Sequence, residues 1–382
     1  MKTAIIHDWL VTYVGSERVL EQILKLYPDA DLFCLLDFLP QEERAFLSGK
    51  KVNTSFIKHL PMAQKRYRNY LPIMPFAIQR FDLSEYQLIL SSSHAVAKGV
   101  RKKPGQLHIC YCHTPMRYVW DLQGQYLKES GLERGLKGVL VKAVLKRIRD
   151  WDYANSKNVD YFIANSHYIK DRIKRAYGRD ADVIYPPVDI DDFQVGDERE
   201  NFYLAVSRMV PYKKMDIIVE AFSDMGLPLV VIGDGPDFEK VRAKAKGNIR
   251  LLGYQAGDVL KEYMKKARAF VFAAEEDFGI LPVEAQACGT PVIAYGKGGA
   301  VETVIPLDEK EAAGNGGAHP TGIFFHEQTP EALIEAVEMF EANEKMFNPD
   351  EIRKNSERFS IERFIKEYKN FVESRAMEFF GV

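Results

Sequence analysis

Short runs of consecutive apolar residues, each followed by a stretch in which apolar residues recur every three or four positions, fill this chain from end to end. A strand buried on both faces needs no polar alternation, so the pattern predicts parallel strands joined by crossover helices. In the first half the predicted strands are Thr3–Ile6, Leu32–Leu36, Leu88–Leu90, Leu107–Tyr111, Tyr161–Ala164 and Val183–Tyr185. Pro186-Pro187-Val188-Asp189 then stops the pattern, because proline fixes its own φ and turns its predecessor away from helix. With the polar stretch Asp191–Asn201 behind it, this break marks a linker near residue 190.

The second half repeats the alternation: Phe202–Val206, a helix from Lys214, Leu229–Ile232, a helix from Pro236, Ile249–Leu252, a helix from Gly257, Ala269–Phe272, a helix from Leu281, and Pro291–Ala294. The fold class is therefore α/β, with two doubly wound Rossmann-like domains. At the end, Ser360 is placed to cap a helix whose apolar residues Ile361, Phe364, Ile365, Tyr368, Phe371, Val372, Phe379 and Phe380 keep the helical period.

A length of 382 residues supports two separate cores, and 46% hydrophobic with 28% charged residues is the composition of a folded globular protein. The four cysteines, Cys34, Cys110, Cys112 and Cys288, have neither zinc-ligand nor disulfide-framework spacing, which suits a reducing compartment such as the cytoplasm. The sequence predicts no spanning helix and no signal peptide. Net charge is only −2, yet 29 Lys/Arg stand against 20 Asp/Glu before residue 190 and 23 against 34 after it, so the halves carry about +9 and −11.

Fold alone does not choose a function, so the loops after the strands must. After the first strand, Gly15 and Ser16 open a helix whose N-terminal N–H groups are suited to a pyrophosphate; read as structure, they are a helix cap. The dinucleotide G-x-G-x-x-G fingerprint is absent there, which disfavours NAD and FAD. The strand Leu107–Tyr111 runs into His113, fixed by Thr114-Pro115, with Arg117, Trp120 and Asp121 behind it. Its position at a strand's C-terminal end is where ligands of open α/β sheets bind, although a core histidine would sit there equally.

In the second half Arg208 and Lys213 leave one strand together, a pair able to neutralise a diphosphate leaving group. Gly233-Asp234-Gly235-Pro236 is a tight turn that lets a flat ligand approach backbone. Glu276 and Glu284 straddle Gly279 at the start of a helix: one carboxylate can reach a sugar while the other takes ribose hydroxyls, with the helix N-terminus supplying N–H groups for a phosphate. The Asp-x-Asp pairs Asp29/Asp31, Asp180/Asp182 and Asp189/Asp191 fall in turns or the linker and read as structural, so no metal is predicted.

The E-x7-E element Glu276–Glu284 resembles that of the retaining nucleotide-sugar glycosyltransferases of GT-B fold, family 4, and the likeness extends over essentially the whole chain. Arg208 with Lys213, the Gly233–Pro236 turn, Leu251-Leu252-Gly253-Tyr254, Gly298-Gly299-Ala300-Val301-Glu302 and the Tyr185–Asp189 linker fall in the family's order. The segment from Tyr111 to Asp121 looks like the bacterial O-antigen mannosyltransferase branch. Relatives usually carry Gly-Gly where this chain has Val14-Gly15, so close approach to a phosphate rests on Gly15 alone.

The resemblance implies two domains facing across a deep cleft, 1–190 with 361–382 for the acceptor and 191–360 for the donor, the C-terminal helix crossing back to the first. It implies retaining hexosyl transfer without a metal or cofactor, with GDP-mannose as the favoured donor. Arg208 and Lys213 would bind the diphosphate, Glu284 the ribose, Glu276 the sugar hydroxyls and His113 the sugar near its anomeric carbon. Gly15, Gly233, Leu252, Phe278, Gly279, Ile280 and Leu281 complete the donor side, and Arg117, Trp120 and Asp121 the acceptor side. A UDP-sugar transferase, a GT-B sugar-nucleotide epimerase and a non-catalytic nucleotide-sugar binding subunit are the competing readings.

From Arg44 to Phe81 eight basic residues, Arg44, Lys50, Lys51, Lys58, Lys65, Arg66, Arg68 and Arg80, occur with no Asp or Glu and are interleaved with aromatic and aliphatic residues. A second basic stretch runs from Arg134 to Arg149. No nucleic-acid module accompanies them. They predict contact with an anionic membrane, so that a peripheral enzyme meets a lipid-linked or oligosaccharide acceptor at the cytoplasmic leaflet; as structure they are solvated faces over a core.

Overall fold

The inner apolar runs are buried on both faces, those at the sheet edges only in part, and all pair in parallel, as continuous hydrophobic strands require. The computed structural model describes residues 1–121, 135–196, 198–307 and 319–381, in two units: residues 1–187 with 364–382, and residues 188–363. Arg134 of the second basic stretch lies outside the described residues.

Unit 1 is built on β1 (Thr3–His7), β2 (Asp31–Cys34), β3 (Val52–Thr54), β4 (Leu88–Ser93), β5 (Leu107–Cys112), β6 (Tyr161–Ala164) and β7 (Asp182–Val183). Their order across the sheet is β3-β2-β1-β4-β5-β6-β7, so the chain winds outward from β1, returns, and winds the other way from β4. In unit 2, β8 (Tyr203–Val206), β9 (Leu229–Ile232), β10 (Ile249–Leu251), β11 (Phe270–Phe272), β12 (Val292–Tyr295) and β13 (Gly322–Phe325) lie in the order β10-β9-β8-β11-β12-β13, with the same reversal between β8 and β11.

Two strands go beyond the pattern read from the sequence. β3 is a three-residue edge strand, half-buried, inside the basic stretch, and β13 is a four-residue run. β3 has one apolar residue in three, and β13 opens on glycine. β7 begins one residue earlier than expected and ends at Val183, with Pro186 and Pro187 following.

Ser360 caps the C-terminal helix Ile361–Phe380 as expected, its Oγ accepting the Arg363 N–H at 3.2 Å. From Phe364 onward this helix belongs to unit 1: Phe364, Tyr368 and Val372 are buried with Ile5, Leu90, Tyr111 and Ile184. The entry and exit of unit 2 lie side by side, the Val188 N–H donating to Phe359 O at 2.9 Å. Arg353 clamps the entry by donating to Ile190 O, Phe193 O and Ala287 O.

The basic stretch is less free than its sequence suggests. Arg44 makes a two-pronged bond to Asp37 at 2.7 and 2.8 Å, and Lys50 donates to the carbonyls of Pro28 and Ala30. Lys65, Arg66, Arg68 and Arg80 remain on the surface with Phe56, Met62, Ile73 and Phe76 exposed among them. Among the described residues no helix is long and apolar enough to cross a membrane.

Truncating Phe364 tests the docking of the C-terminal helix, because its ring is fully buried between Tyr368 and Tyr111, with centroids 5.4 and 5.9 Å away. Phe364→Ala should cost about 3–5 kcal/mol in urea unfolding of the full chain. A loss below about 1 kcal/mol, the size of an ordinary surface change, would show that the helix is not part of that core.

Candidate active site

In a sheet whose strands all run the same way, every strand's C-terminal end lies on one edge, and a reversal of strand order leaves room there for a ligand. In unit 2 that position falls between β8 and β11. The loop after β8 carries exposed Arg208 and half-buried Lys213, and the loop after β11 carries half-buried Glu276. Lys213 Nζ and Glu276 Oε1 form an ion pair across the reversal. Residues five and more than sixty positions apart along the chain are thus brought to one place by the topology.

Close backbone packing holds these loops. Gly233 has φ +136°, and a Cβ there would stand 1.9 Å from Ser207 O, so the turn after β9 can rest on the Arg208 loop only without a side chain. The Met209 N–H donates to Asp234 O at 2.9 Å, completing the contact. On the other side the Gly299 N–H donates to Glu276 O at 2.8 Å. Gly279, left-handed at φ +86°, caps the helix Ile280–Ala287, which starts one residue before the predicted Leu281. The first-turn N–H groups of this helix have no partner within it. Glu284 is buried one turn further on, Phe278 packs on Phe359 with centroids 5.4 Å apart, and Leu252 is half-buried after β10 with its N–H on Val231 O.

In unit 1 the reversal lies between β1 and β4, and His113 follows the neighbouring β5. Its N–H donates to Ser93 O at 2.9 Å and its Nε2 lies 2.8 Å from Ser92 Oγ. Ser92 Oγ is in turn 3.2 Å from His7 Nδ1, and His7 Nε2 is 3.3 Å from Glu17 Oε1. Beside this chain, the buried Asp8 carboxylate accepts four backbone N–H groups, from His94, Ala95, Val96 and Ala97, at 2.6 to 2.9 Å. His94 lies against Asp8 at 3.3 Å and stands edge-on to Trp9.

Sequence reading singled out His113 but missed His7, Asp8, Ser92 and His94, and took Glu17 only as a residue of the helix start. The signal was available: His7-Asp8 and Ser91-Ser92-Ser93-His94 are the first polar residues after apolar strand interiors, at two strands' C-terminal ends. Gly15 lies where it was expected, but Ser16 is not the cap. The helix Gly15–Leu26 starts at Gly15, Val14 holds the cap position, and Glu17 accepts the Val14 N–H at 3.1 Å. A carboxylate already occupies that helix start, which weighs against a phosphate there.

Arg117 is half-buried. The Trp120 indole N–H donates to the buried Asp152 at 2.8 Å, and Asp152 also accepts from Tyr177 and pairs with the buried Lys98. Asp121 is exposed and pairs with Arg172 at 2.5 Å, whose guanidinium also donates to Thr114, next to His113. Trp120 and Asp121 are thereby tied into the frame that holds the His113 loop.

The family described as Glycosyltransferase Family 4 matches residues 15–192, and that described as Glycosyl transferases group 1 matches residues 189–359. The chain belongs to these glycosyltransferase families. Its two sheets are those of a GT-B glycosyltransferase: a solved structure of Anabaena HepE in complex with UDP superposes with a TM-score of 0.68 over 98% of this chain and 100% of that one, at 17% identity. The O-antigen chain mannosyltransferase of Salmonella typhimurium is 28% identical over 188 residues, 46% of this chain and 50% of the relative. A GDP-mannose-dependent phosphatidylinositol monomannoside mannosyltransferase of Mycobacterium tuberculosis is 30% identical over 197 residues, 43% and 49% of the two chains. The matches span about half the length of these curated relatives.

The histidines and carboxylates gathered at the ends of β1, β4 and β5 make the stability of the chain depend on pH. Burial, reinforced by neighbouring rings, holds His113 well below its ordinary value, and burial lowers His94 too despite Asp8 beside it. Burial by itself would raise Asp8 and Glu17, but His94 and His7 around Asp8, and the bond from His7 to Glu17, leave both lowered. In all four the unfolded chain binds protons that the folded chain refuses. Stability is therefore fully present above about pH 6.5 and falls as the pH drops, first through the histidines and then, near pH 4, through the carboxylates. Melting temperature should decline from about pH 7 to pH 5, and less steeply in His113→Asn; a flat profile in the wild-type chain would contradict the burial of these rings.

Proposed function

We propose that this chain is a retaining, metal-independent hexosyltransferase that moves mannose from GDP-mannose to a lipid-linked or saccharide acceptor in bacterial surface polysaccharide synthesis. The observation that carries this reading is the Lys213–Glu276 ion pair at the strand reversal of unit 2, beside Arg208 and the helix start at Gly279. An entering diphosphate would take the Lys213 ammonium together with Arg208 and release the Glu276 carboxylate to accept from sugar hydroxyls. In the transfer, the bond from the anomeric carbon to the diphosphate breaks and the acceptor oxygen bonds to that carbon. The acceptor proton passes to the departing phosphate, whose growing charge Arg208 and Lys213 stabilise. Two fixed cations there would supply the neutralisation that a metal provides elsewhere.

The mannosyltransferase relatives favour mannose, and the GDP-mannose-dependent one favours guanosine as the base. The UDP in the Anabaena structure favours the second reading, a UDP-sugar donor. Thermal shift with GDP, UDP and their hexose conjugates separates them, since a ligand at 100 times its Kd stabilises by about 2.7 kcal/mol. GDP and GDP-mannose should raise the melting temperature. A shift with UDP-sugars alone would move the donor to the second reading, and no shift with any nucleotide would reject the function. Arg208→Ala and Lys213→Ala should each lower turnover by about 10²–10³ with chelator present or absent; turnover within threefold of wild type would remove them from the reaction.

A lipid-linked acceptor would be met at the membrane. Phe76 is 58% and Met62 55% exposed, Phe56 and Phe76 lie with ring centroids 6.1 Å apart, Arg80 stands over the Phe76 ring at 5.4 Å, and Lys65, Arg66 and Arg68 are exposed in the same stretch. Apolar side chains enter the headgroup region while each nearby cation adds about 1 kcal/mol on an anionic surface. The chain should sediment with anionic but not zwitterionic vesicles and be released at about 1 M salt, where the Debye length is about 3 Å. Reversing charge at Lys65, Arg66 and Arg68 should abolish sedimentation and leave nucleotide affinity unchanged. Failure to sediment with anionic vesicles at low salt would reject membrane contact.

A further inference from the structure

Four side chains from three strands' ends and one helix turn form a single hydrogen-bonded file in unit 1. His7 and Ser92 stand side by side because their residues are partners in the β1–β4 pairing. Ser92 is the partner of Tyr111 in the next pairing, and His113, two residues beyond Tyr111, lies on the same face of that strand. The Tyr111 ring supports His113 at a centroid distance of 5.1 Å and is itself backed by Phe364. Glu17, His7 and Ser92 are buried; His113 alone is half-buried. The file therefore runs inward from the surface.

We infer that Glu17, His7 and Ser92 are a positioning relay that holds His113 with its proton on Nε2, leaving Nδ1 as a hydrogen-bond acceptor for a sugar hydroxyl. The direction follows from counting donors and acceptors. Glu17 Oε2 accepts from the Val14 N–H at 3.1 Å and the Ser16 hydroxyl at 2.9 Å, and Oε1 faces His7 Nε2. An ionised carboxylate only accepts, so His7 gives it the Nε2 proton, and His7 Nδ1 is left to accept from the Ser92 hydroxyl. Having spent its only proton there, Ser92 Oγ must accept from His113, which places the His113 proton on Nε2. Among the described residues no hydrogen bond reaches His113 Nδ1. The opposite polarity, a doubly protonated His7 donating to Ser92, would turn the Ser92 hydroxyl toward His113 Nε2 and make Nδ1 a donor.

The first polarity leaves the fully buried His7 uncharged, whereas the opposite one places a charge on it. The groups facing His7 and His113 are Glu17, Ser92, Tyr111 and His94, the last with ring centroids 6.2 and 6.3 Å away and the Asp8 carboxylate behind it. Burial keeps His113 uncharged. An uncharged acceptor suits an O–H donor and is of no use to a phosphate oxygen, so the relay assigns His113 to the sugar rather than to the diphosphate. The assignment to a sugar rests on the transferase reading; the tautomer does not.

Ring-nitrogen NMR of the full chain labelled with ¹⁵N-histidine reads the tautomer directly, His113→Gln identifying which signal is lost. The expected spectrum shows His113 with a protonated Nε2 and a bare Nδ1. Ser92→Ala should convert it to a mixture of tautomers, and Ser92→Thr, which keeps the hydroxyl, should restore it. Glu17→Gln, close in size, should also give a mixture, and it answers the question if Ser92→Ala does not fold. In transfer assays Ser92→Ala and Glu17→Gln should lower kcat about tenfold, the low end of what losing the orienting partner of a metal-ligating histidine costs, with donor KM little changed and Ser92→Thr close to wild type. A wild-type His113 protonated on Nδ1, or a spectrum unmoved by Ser92→Ala, would overturn the relay. The inferred tautomer in a chain that neither binds nor turns over any nucleotide sugar would uphold the relay and overturn the transferase reading.

Discussion

The reversal of strand order within each parallel sheet is the constraint on which the rest depends. Between β1 and β4, and again between β8 and β11, neighbouring strands send their following loops to opposite faces, and the space left on the C-terminal edge is lined by whatever residues those loops begin with. In unit 2, Arg208, Lys213, Glu276 and the helix start at Gly279 lie in the two loops next to that space. In unit 1 the same rule gathers His7 and Asp8 at the end of β1, Ser92 to Ala97 around the end of β4, and His113 after β5.

Keeping such loops in place requires polar groups where the sheet is dry. Asp8 does this with one carboxylate and four backbone N–H bonds, fixing the turn that begins at His94. On the other side of that turn the buried Lys98 is paired with Asp152, which also holds Trp120 and Tyr177. Breaking a buried pair of this kind commonly costs 3–5 kcal/mol, because the remaining charge has no solvent to return to. These bonds make the turn one conformation rather than several, and His113 inherits that order through Ser92 and Ser93.

Unit 2 achieves the same rigidity with backbone packing. The turn at Gly233 lies against Ser207 and Met209, and the Gly298–Gly299 turn lies against Glu276 and Phe278. Each loop bearing a charged site residue is thus pressed against a glycine turn from the adjoining strand, and a side chain at those glycines would push the charges out of place.

The sequence by itself determined the parallel α/β class, most of the strands, the break at Pro186-Pro187, the C-terminal helix with its Ser360 cap, and the position of Arg208, Lys213 and Glu276 in loops that follow strands. These features are local: apolar runs long enough to read, prolines and glycines with fixed conformational meaning, and charges placed directly after strands. The edge strand β3 and the short β13 were not legible, because β3 has one apolar residue in three, β13 opens on glycine, and their pairing is decided by partners elsewhere in the chain. Ser16 offered a cap that the structure does not use, since Glu17 reaches the Val14 N–H instead. Only the tertiary structure decided that Lys213 meets Glu276, that Arg44 and Lys50 are committed to Asp37 and to backbone carbonyls, and that Glu17, His7, Ser92 and His113 form one file. The physical reason is common to all three: hydrogen bonds and ion pairs between distant residues depend on strand order and register, which are set by the packing of the whole sheet and leave no mark on neighbouring residues in the chain.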